Sequence, residues 1–286
     1  MSIKLVASDL DGTIIDKKNN VSPKNFKAIE DILKKNVNFA ICTGKSYSVT
    51  QKFCKQFNAS YGIFGNGTQI IDFKNNREIY RKVISKKDLL FCVTLAKRYN
   101  FHIHFYTDHQ IITEKLEYMD LRNFKLKDKN SSNSLEFIEV KDIISYIEDN
   151  NLPVYSAIIT TENSSLELLE NLLKVNKNID YTFINKRGRY KDKIINKDYE
   201  YINVTPLNVD KYEAIKFLAS YLKIRNRDIL AIGDNVNDLK MVKNAGVGIA
   251  VKDAYRELKE VASYITSTSV SDGAFAEAIN LFVLND

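Results

Sequence analysis

The chain has 286 residues, of which 44% are hydrophobic and 27% charged, and its formal net charge is +6. These values are ordinary for a soluble globular protein, and the length suits one large domain or two modest ones. No apolar run is long enough to cross a bilayer, and Asp9 and Asp11 interrupt any apolar region of a signal peptide. The lysines are spread along the chain rather than clustered, so we expect neither a nucleic-acid nor a membrane partner.

The three cysteines, Cys42, Cys54 and Cys92, stand alone and match no C-x-x-C pattern. A disulfide framework or a structural zinc site is therefore not expected, and the pattern favours a reducing, cytoplasmic location. We expect a monomer or a weak homo-oligomer.

Strands and helices alternate along the first third of the chain. An apolar run ending at Ser8 predicts a first strand, and Ser22 followed by Pro23 predicts a helix start with the serine as N-cap. A second strand and helix follow, and Asn66-Gly67 predicts the turn of a hairpin. This order is typical of an α/β protein.

The last third of the chain repeats the alternation more clearly. We predict that a helix begins at Lys211, that a strand ends near Asp234, and that a short helix ends at Gly246, since glycine is common there. Strands separated by helices predict a doubly wound, Rossmann-like parallel sheet.

The middle of the chain, residues 84–203, has a different pattern. Ser85 and Asp88 form a capping pattern that predicts a helix start, and polar, alternating strands follow with helices among them. We expect an α+β insert whose sheet is open on one face. Because its ends flank the two alternating thirds, we predict a discontinuous core catalytic domain, 1–83 and 204–286, and an α+β cap domain, 84–203.

Two aspartates follow the first predicted strand. Asp9 and Asp11 are two residues apart, so in an extended chain their side chains point to the same side, with Cα atoms about 7 Å apart. They lie at the carboxyl end of the strand, where open α/β sheets bind ligands. Because adjacent carboxylates repel, the pair indicates a metal, a protonated aspartate or both. A solvated acidic loop is the alternative.

A second group of polar residues follows a strand in the last third. Asp234 ends that strand, and Asp238 lies in the first turn of the next helix with Asn237 beside it. Acids at that position also serve as helix caps. Together with Asp9 and Asp11, however, they favour a hard cation held by carboxylates, a carbonyl and waters, which is the ligand set of Mg²⁺.

Two further features indicate phosphate. Thr43 and Gly44 lie between the second strand and a helix, where a hydroxyl and backbone N–H groups form an anion cradle. Lys211 begins the helix that re-enters the core, where it can reach a phosphoryl oxygen. An ordinary turn and a solvated lysine are the alternatives at these positions.

The motifs D-x-D-G-T, T-G-K, a lone lysine and G-D-x-x-N-D occur in that order along the chain. With an α+β insert between the second and the third, the chain resembles the haloacid-dehalogenase-like phosphatases and, among them, the Cof-like sugar-phosphatase branch. The resemblance spans nearly the whole chain. It departs from the family at Lys45, where arginine is common, at Tyr212, where glycine is common, and at Asp253, where asparagine is usual.

The resemblance implies a role for each motif residue. Asp9 would be the nucleophile that forms an aspartyl-phosphate, and Asp11 would be the general acid and then the general base. Mg²⁺ would be held by Asp9, the backbone carbonyl of Asp11, and Asp234. The residues that would bind the phosphoryl group are Thr43, Gly44, Lys211 and Asn237. The supporting residues would be Asp238, which orients Lys211 or acts through water, and Gly12 and Thr13, which shape the turn.

These roles predict a Mg²⁺-dependent phosphatase that hydrolyses small phosphomonoesters, sugar phosphates or related metabolites, through an aspartyl-phosphate. One alternative is a phosphotransferase or phosphomutase of the same fold, similar to phosphomannomutase, which returns the phosphoryl group to a sugar. The others are a metal-dependent glycosyltransferase, since that class also uses D-x-D, and a binding or regulatory module.

Two features of the middle region stay open. His102 and His104 share one strand face with His109 close behind, and they form a solvated surface, a substrate-contacting sheet face or, least favoured, a metal site. Residues 185–193 predict a basic hairpin, which is either a solvated edge strand or a contact for a second anionic group.

Overall fold

The computed structural model describes residues 2–114, 135–162, 165–184, 190–192 and 197–285. They divide into two compact units, the first made of Met1–Arg81 and Asp210–Asp286 and the second of Lys82–Val209. The second unit extends beyond residue 203, the predicted end of the insert, because a strand of its sheet runs to Pro206. Most of the predicted basic hairpin 185–193 lies outside the described residues.

The amino-terminal part of the first unit alternates strands and helices. Its elements are β1 (Leu5–Ser8), α1 (Pro23–Lys34), β2 (Asn38–Cys42), α2 (Tyr47–Gln56), β3 (Tyr61–Phe64), β4 (Gln69–Asp72) and β5 (Arg77–Arg81). The predicted N-cap is confirmed, because the Ser22 hydroxyl accepts a hydrogen bond of 3.2 Å from the Asn25 N–H. The predicted hairpin is also confirmed, since β3 and β4 pair antiparallel across a turn in which Asn66 has a φ of 56°.

In the described part of the second unit, three helices pack on one face of a sheet. Its elements are α3 (Lys86–Arg98), β6 (His102–Tyr106), β7 (Gln110–Thr113), β8 (Glu136–Glu139), α4 (Ile143–Asp149), β9 (Ser156–Glu162), α5 (Leu166–Leu173), β10 (Ile179–Ile184), β11 (Tyr190–Asp192) and β12 (Lys197–Pro206). The strand order is β10-β12-β9-β6-β7-β8, with β11 paired to β12. Ser85 caps α3 as predicted, because its hydroxyl accepts from the Asp88 N–H at 3.2 Å.

The carboxyl-terminal part of the first unit contributes the remaining elements. They are α6 (Lys211–Tyr221), β13 (Ile229–Gly233), α7 (Leu239–Asn244), β14 (Val247–Ala250), α8 (Arg256–Val261), β15 (Tyr264–Ile265) and α9 (Ala274–Ile279). The prediction that α7 ends at Gly246 is wrong, because Ala245 is already extended, with a ψ of 161°. Gly246 is needed for packing instead, since a Cβ there would lie 2.5 Å from the Asn226 carbonyl oxygen.

The eight strands of the first unit form one sheet in the order β15-β14-β13-β1-β2-β3-β4-β5. Strands β15 to β3 run parallel, and β4 and β5 return antiparallel at one edge, which confirms the α/β class. Every residue of β1 is buried, as expected for a central parallel strand covered on both faces. Strand β1 pairs with β2 on one side and with β13 on the other, so the strand order changes direction at β1. Ligands of open α/β sheets bind at such a switch point, which here lies at the carboxyl ends of β1 and β13.

The three cysteines are buried and their thiols are free. Burial raises the pKa of Cys54 and of Cys92 to about 12, so both thiols stay protonated at neutral pH. Within the ranges that the structure describes, no helix combines the length and the apolar character needed to span a bilayer.

The carboxylate of Glu277 holds the segment between β15 and α9 in place through hydrogen bonds. Glu277 accepts hydrogen bonds from the N–H groups of Ser267 and Thr268 at 2.7 and 2.9 Å, and from the Tyr264 hydroxyl at 2.8 Å. Partial burial acts to raise the pKa of Glu277, but the hydrogen bonds from Thr268, Ser267 and Tyr264 outweigh it and lower that pKa to about 2. The ionised form is therefore the one that the fold stabilises.

We expect Glu277→Gln to lower the free energy of unfolding by about 1–3 kcal/mol at pH 7, because hydrogen bonds to a charged acceptor are lost. The depressed pKa stabilises the fold fully above the ordinary glutamate value of 4.5, and this contribution disappears as the pH falls towards 2. Urea unfolding should therefore show a smaller difference in the free energy of unfolding between the wild type and Glu277→Gln at pH 3 than at pH 7. Glu260→Gln, which removes an exposed ion pair with Arg256, is the control and should change stability by less than about 1 kcal/mol. Equal losses of stability for Glu277→Gln and Glu260→Gln would contradict the conclusion that the fold stabilises ionised Glu277.

Candidate active site

The site lies where β1 and β13 end side by side. The two strands are parallel neighbours with Ser8 opposite Ile232, and the Asp9 N–H donates to the Ile232 carbonyl at 2.9 Å. Asp9, which directly follows β1, and Asp234, which directly follows β13, therefore lie at the same edge of the sheet. The structure brings these two predicted residues together, as parallel pairing of their strands requires.

Lys211 is the first residue of α6 and is fully buried. Its Nζ donates to Asp9 Oδ1 at 2.5 Å and to Asp238 Oδ1 at 2.7 Å. Burial acts to lower the pKa of Lys211, but the charges of Asp238 and Asp9 hold it above its usual value, so the side chain is an ammonium ion. The alternative of a solvated lysine is wrong, because α6 directs this side chain into the carboxylates rather than to solvent.

Asp238 is held on both of its oxygens. Oδ1 accepts from Lys211, and Oδ2 accepts from the N–H groups of Asp234 and Asn235 at 3.0 Å each. Gly233 makes room for it, since a Cβ at Gly233 would lie 2.5 Å from the Cβ of Asp238. Because these contacts occupy it, Asp238 is suited to orienting Lys211, which was one of its two predicted roles.

Three carboxylates meet at this point. Ligand atoms of Asp9, Asp234 and Asp238 lie within 4.8 Å of one another. With Lys211 they carry a formal charge of −2. Burial, and then the neighbouring acids, raise the pKa of Asp234 to about 7, and burial raises that of Asp9 well above its ordinary value despite Lys211. The formal charge of −2 leaves the ionised cluster short of positive charge, and its hard oxygen ligands fit a divalent cation.

Gly12 and Thr13 follow the acids in a tight turn. Gly12 has a φ of 79°, and a Cβ there would lie 2.4 Å from Asp234 Oδ2. Only glycine therefore lets the turn pass so close to Asp234. The Thr13 hydroxyl is buried and finds no hydrogen-bond partner in the part of the chain that the structure describes.

Asp11 stands apart from the three carboxylates. Its Oδ1 pairs with Lys45 Nζ at 2.6 Å, and both side chains are about two-fifths exposed. The Asp11 side chain therefore does not belong to the cluster formed by Asp9, Asp234 and Asp238. A contribution of the Asp11 backbone carbonyl to a metal site stays a prediction. Sequence reasoning treated Lys45 only as a departure from a motif and missed this pair, although the Thr43-Gly44-Lys45 order was the available signal.

Three of the four predicted phosphate-binding residues, Thr43, Gly44 and Asn237, lie around Asn66, whereas the ammonium group of Lys211 contacts Asp9 and Asp238. The Thr43 carbonyl accepts from the Asn66 N–H at 3.0 Å, and a Cβ at Gly44 would lie 3.0 Å from Asn66 Oδ1. That oxygen accepts from Asn237 Nδ2, also at 3.0 Å. Asn66 therefore links the turn after β2 to the turn after β13. The Asn-Gly pair was visible in the sequence, but it predicted only a hairpin.

The only group of histidine, cysteine and acidic side chains close enough to hold a metal, among the described residues, is the one at the ends of β1 and β13. His102, His104 and His109 do not form such a group there. The metal interpretation of these histidines is therefore not supported.

A doubly wound sheet with buried acids, a buried lysine and a threonine–glycine turn at its carboxyl edge defines an α/β protein with a cluster of ionisable side chains at the switch point of the sheet. The family model of the haloacid dehalogenase-like hydrolases matches residues 6–279, and the chain belongs to this family. The predicted family is confirmed, and the protein is an enzyme of the hydrolase class.

Relatives with the same overall length agree with this assignment. The chain is 28% identical to the 5-amino-6-(5-phospho-D-ribitylamino)uracil phosphatase YcsE of Bacillus subtilis, over 99% of this chain and 97% of that protein. It is 25% identical to YwtE of Bacillus subtilis, a phosphatase of the same description, over 95% of both proteins. The fold matches a crystal structure of a haloacid dehalogenase-like hydrolase from Bacteroides thetaiotaomicron with a TM-score of 0.78, at 22% identity and covering 98% of this chain and 99% of that one.

We expect Lys211→Met to lower the free energy of unfolding by about 3–5 kcal/mol, because it leaves Asp9 and Asp238 buried without their ammonium partner. Urea unfolding in EDTA measures the effect without interference from metal. Lys216→Met is the matched control, since Lys216 lies on the same helix with a half-exposed side chain paired to Glu213. That control should lose less than about 1 kcal/mol. A loss below 1 kcal/mol for Lys211→Met would contradict the electrostatic assignment.

Proposed function

We propose that the protein is a Mg²⁺-dependent phosphatase that hydrolyses small phosphomonoesters through an aspartyl-phosphate on Asp9. The observation that carries the proposal is the position of Asp9, which lies buried at the switch point of the sheet beside Asp234 and is fixed by Lys211. Membership of the hydrolase family and the phosphatase descriptions of full-length relatives support it.

Asp9 and Asp234 are the carboxylates that would hold Mg²⁺, together with the backbone carbonyl of Asp11. Asp238 is less suited to the metal, because Lys211 and two backbone N–H groups already use its oxygens. The ion, when bound, supplies positive charge that lets an anionic phosphate approach the acids. The choice of Mg²⁺ rests on the all-oxygen ligand set.

In the first step, an Asp9 oxygen forms a bond to phosphorus while the bond from phosphorus to the alcohol oxygen breaks. Asp11 transfers its proton to that alcohol oxygen. Lys211 keeps Asp9 oriented, and Thr43, Gly44 and Asn237 would bind phosphoryl oxygens. Because Asp11 is paired with Lys45 as a carboxylate, it must leave this exposed ion pair and take up a proton from solvent before it can act as the acid.

In the second step, a water oxygen bonds to phosphorus, the bond from phosphorus to Asp9 breaks, and Asp11 accepts the water proton. The products are the free alcohol and phosphate, and both aspartates return to their starting states. Gly12 and Thr13 would support the turn that carries Asp11. The roles of all these residues belong to the proposal.

We assign the reaction to the first unit and the selection of the alcohol to the second unit, which would act as a cap domain. A small phosphorylated metabolite is the substrate class. The compound 5-amino-6-(5-phospho-D-ribitylamino)uracil, which appears in the descriptions of two relatives, is the first candidate to test. A cytoplasmic location fits three free, buried cysteines. A phosphate-release screen over phosphorylated metabolites, with that compound included, tests the assignment.

We expect Asp9→Asn to lower phosphate release by about 10⁴-fold or more, because an amide is a poor nucleophile. Asp31→Asn removes a surface aspartate paired with Lys27 and should leave activity within about twofold. Circular dichroism should show that both variants fold. Wild-type rates in folded Asp9→Asn would exclude Asp9 as the nucleophile.

We expect EDTA to abolish phosphate release and Mg²⁺ to restore it, since the acids repel a phosphate dianion without a cation. Asp234→Asn should raise the Mg²⁺ concentration for half-maximal activity by about 10- to 100-fold or more. Titration of activity against free Mg²⁺ measures this shift. Full activity in excess EDTA would rule out the metal requirement.

A further inference from the structure

One fully buried amide side chain joins three separate segments of the first unit. Asn25 lies in the first turn of α1 and has no exposed surface. Its Nδ2 donates to the Ile14 carbonyl at 3.1 Å and to the Val270 carbonyl at 3.2 Å. Its Oδ1 accepts from the Ala276 N–H at 3.0 Å. Both amide hydrogens and the amide oxygen are therefore used, and their partners lie far apart in the sequence.

Helix α1 itself does not require this amide. Ser22 already caps the helix, and asparagine is a weaker helix former than alanine. Burial of an amide costs free energy unless its donors and acceptor find partners. The three hydrogen bonds supply those partners, so the effect of the Asn25 side chain falls on the segments that it joins.

The Ile14 carbonyl belongs to the turn that carries Asp11. The Ile14 N–H donates to the Leu10 carbonyl at 3.0 Å, so one hydrogen-bonded turn encloses Asp11. The hydrogen bond from Asn25 to the Ile14 carbonyl links this turn to α1. A displacement of the Ile14 carbonyl would therefore move the backbone of Asp11 with it.

Asp9 and Asp11 are held by different contacts. The Asp9 N–H is bonded to a carbonyl at the end of β13, and its carboxylate accepts from Lys211 at 2.5 Å. Neither contact involves the buried amide. The Asp11 side chain is about two-fifths exposed and pairs with Lys45, which is a weak restraint in solvent. Loss of the buried amide would therefore shift Asp11 while Asp9 stays in place.

We propose that Asn25 is a positioning residue for the proton transfer by Asp11, because its amide holds the turn of Asp11 through the Ile14 carbonyl. This inference rests on the proposed function, in which Asp11 protonates the leaving alcohol oxygen. Asn25 acts through the backbone rather than on the substrate. A displacement of about 1 Å can cost about 100-fold in rate, so loss of the amide slows the steps that need the acid.

Two substrates of similar size separate the acid from the nucleophile. Benzyl phosphate releases an alkoxide unless its alcohol oxygen is protonated, whereas 4-nitrophenyl phosphate releases a stabilised phenolate that needs no proton. We expect Asn25→Ala to lower kcat/KM about 10- to 100-fold for benzyl phosphate and less than about threefold for 4-nitrophenyl phosphate. Equal losses with the two substrates would overturn the proposal, because a general loss of packing does not distinguish leaving groups.

Glu277→Gln is the matched control, because Glu277 holds the same segment before α9 and its hydrogen bonds do not include Ile14. It should leave the ratio of the two kcat/KM values unchanged. Circular dichroism shows whether each variant folds. If Asn25→Ala does not fold, Asn25→Ser decides, since serine keeps one hydroxyl donor and leaves room for a water. An unchanged ratio in folded Asn25→Ser would then overturn the proposal.

A second background separates this inference from the proposed reaction. Asp11→Asn should itself shift the ratio, and Asn25→Ala added to it should change the ratio less than about twofold, because the acid is already lost. A full further shift in the double variant would overturn the positioning role. An unchanged ratio in Asp11→Asn would remove the reaction assignment. A ratio that shifts in Asp11→Asn but not in Asn25→Ala counts against Asn25 alone.

Discussion

The site depends on one buried ammonium ion. Lys211 holds Asp9 and Asp238 at 2.5 and 2.7 Å, and these three residues come from the start of the chain, the first residue of α6 and the turn after β13. A buried lysine without partners would lose its charge or unfold the protein. The same contact that makes its burial possible also orients the carboxylate of Asp9, so the stability of the core and the orientation of the proposed nucleophile share one interaction.

The balance of charge around Lys211 explains why the site is suited to a cation. One ammonium ion faces three carboxylates, and burial, together with the repulsion that remains between the acids, raises the pKa values of Asp9 and Asp234. Removing that repulsion with a divalent ion favours the ionised forms that the reaction needs. Binding of the cation and protonation of the acids are therefore competing processes at this edge of the sheet.

Much of this architecture follows from local sequence patterns. The strand before Asp9, the cap at Ser22 and the turn at Asn66 depend on residues close together in the chain, and the structure confirms them. The Thr43-Gly44-Lys45 order indicates a turn near Asp11, but the pair of Lys45 with Asp11 also depends on how two loops from neighbouring strands approach each other, which local patterns do not specify. The same holds for Asn66, whose side chain meets Asn237 across the site.

Boundaries were harder to predict than motifs for a physical reason. The sequence of β12 contains no break at residue 203, and its length is set by pairing with β10, where Ile179 lies opposite Pro206. Past the end of α7, the Gly246 N–H donates to the distant Asn226 carbonyl at 3.0 Å, a contact that the local sequence does not indicate. Tertiary contacts thus determine where elements stop, whereas local patterns determine that they exist.

The position of β1 in the sheet has a consequence for biosynthesis. Leu5 pairs with Asn38 on one side and with Ile229 on the other, so one edge of this apolar strand has no partner until the chain has been synthesised through β13. A nascent chain that ends before β13 exposes that edge to other chains, which favours aggregation unless a chaperone covers it. Asp9 is thus synthesised well before Lys211 and Asp238, the residues that complete its surroundings.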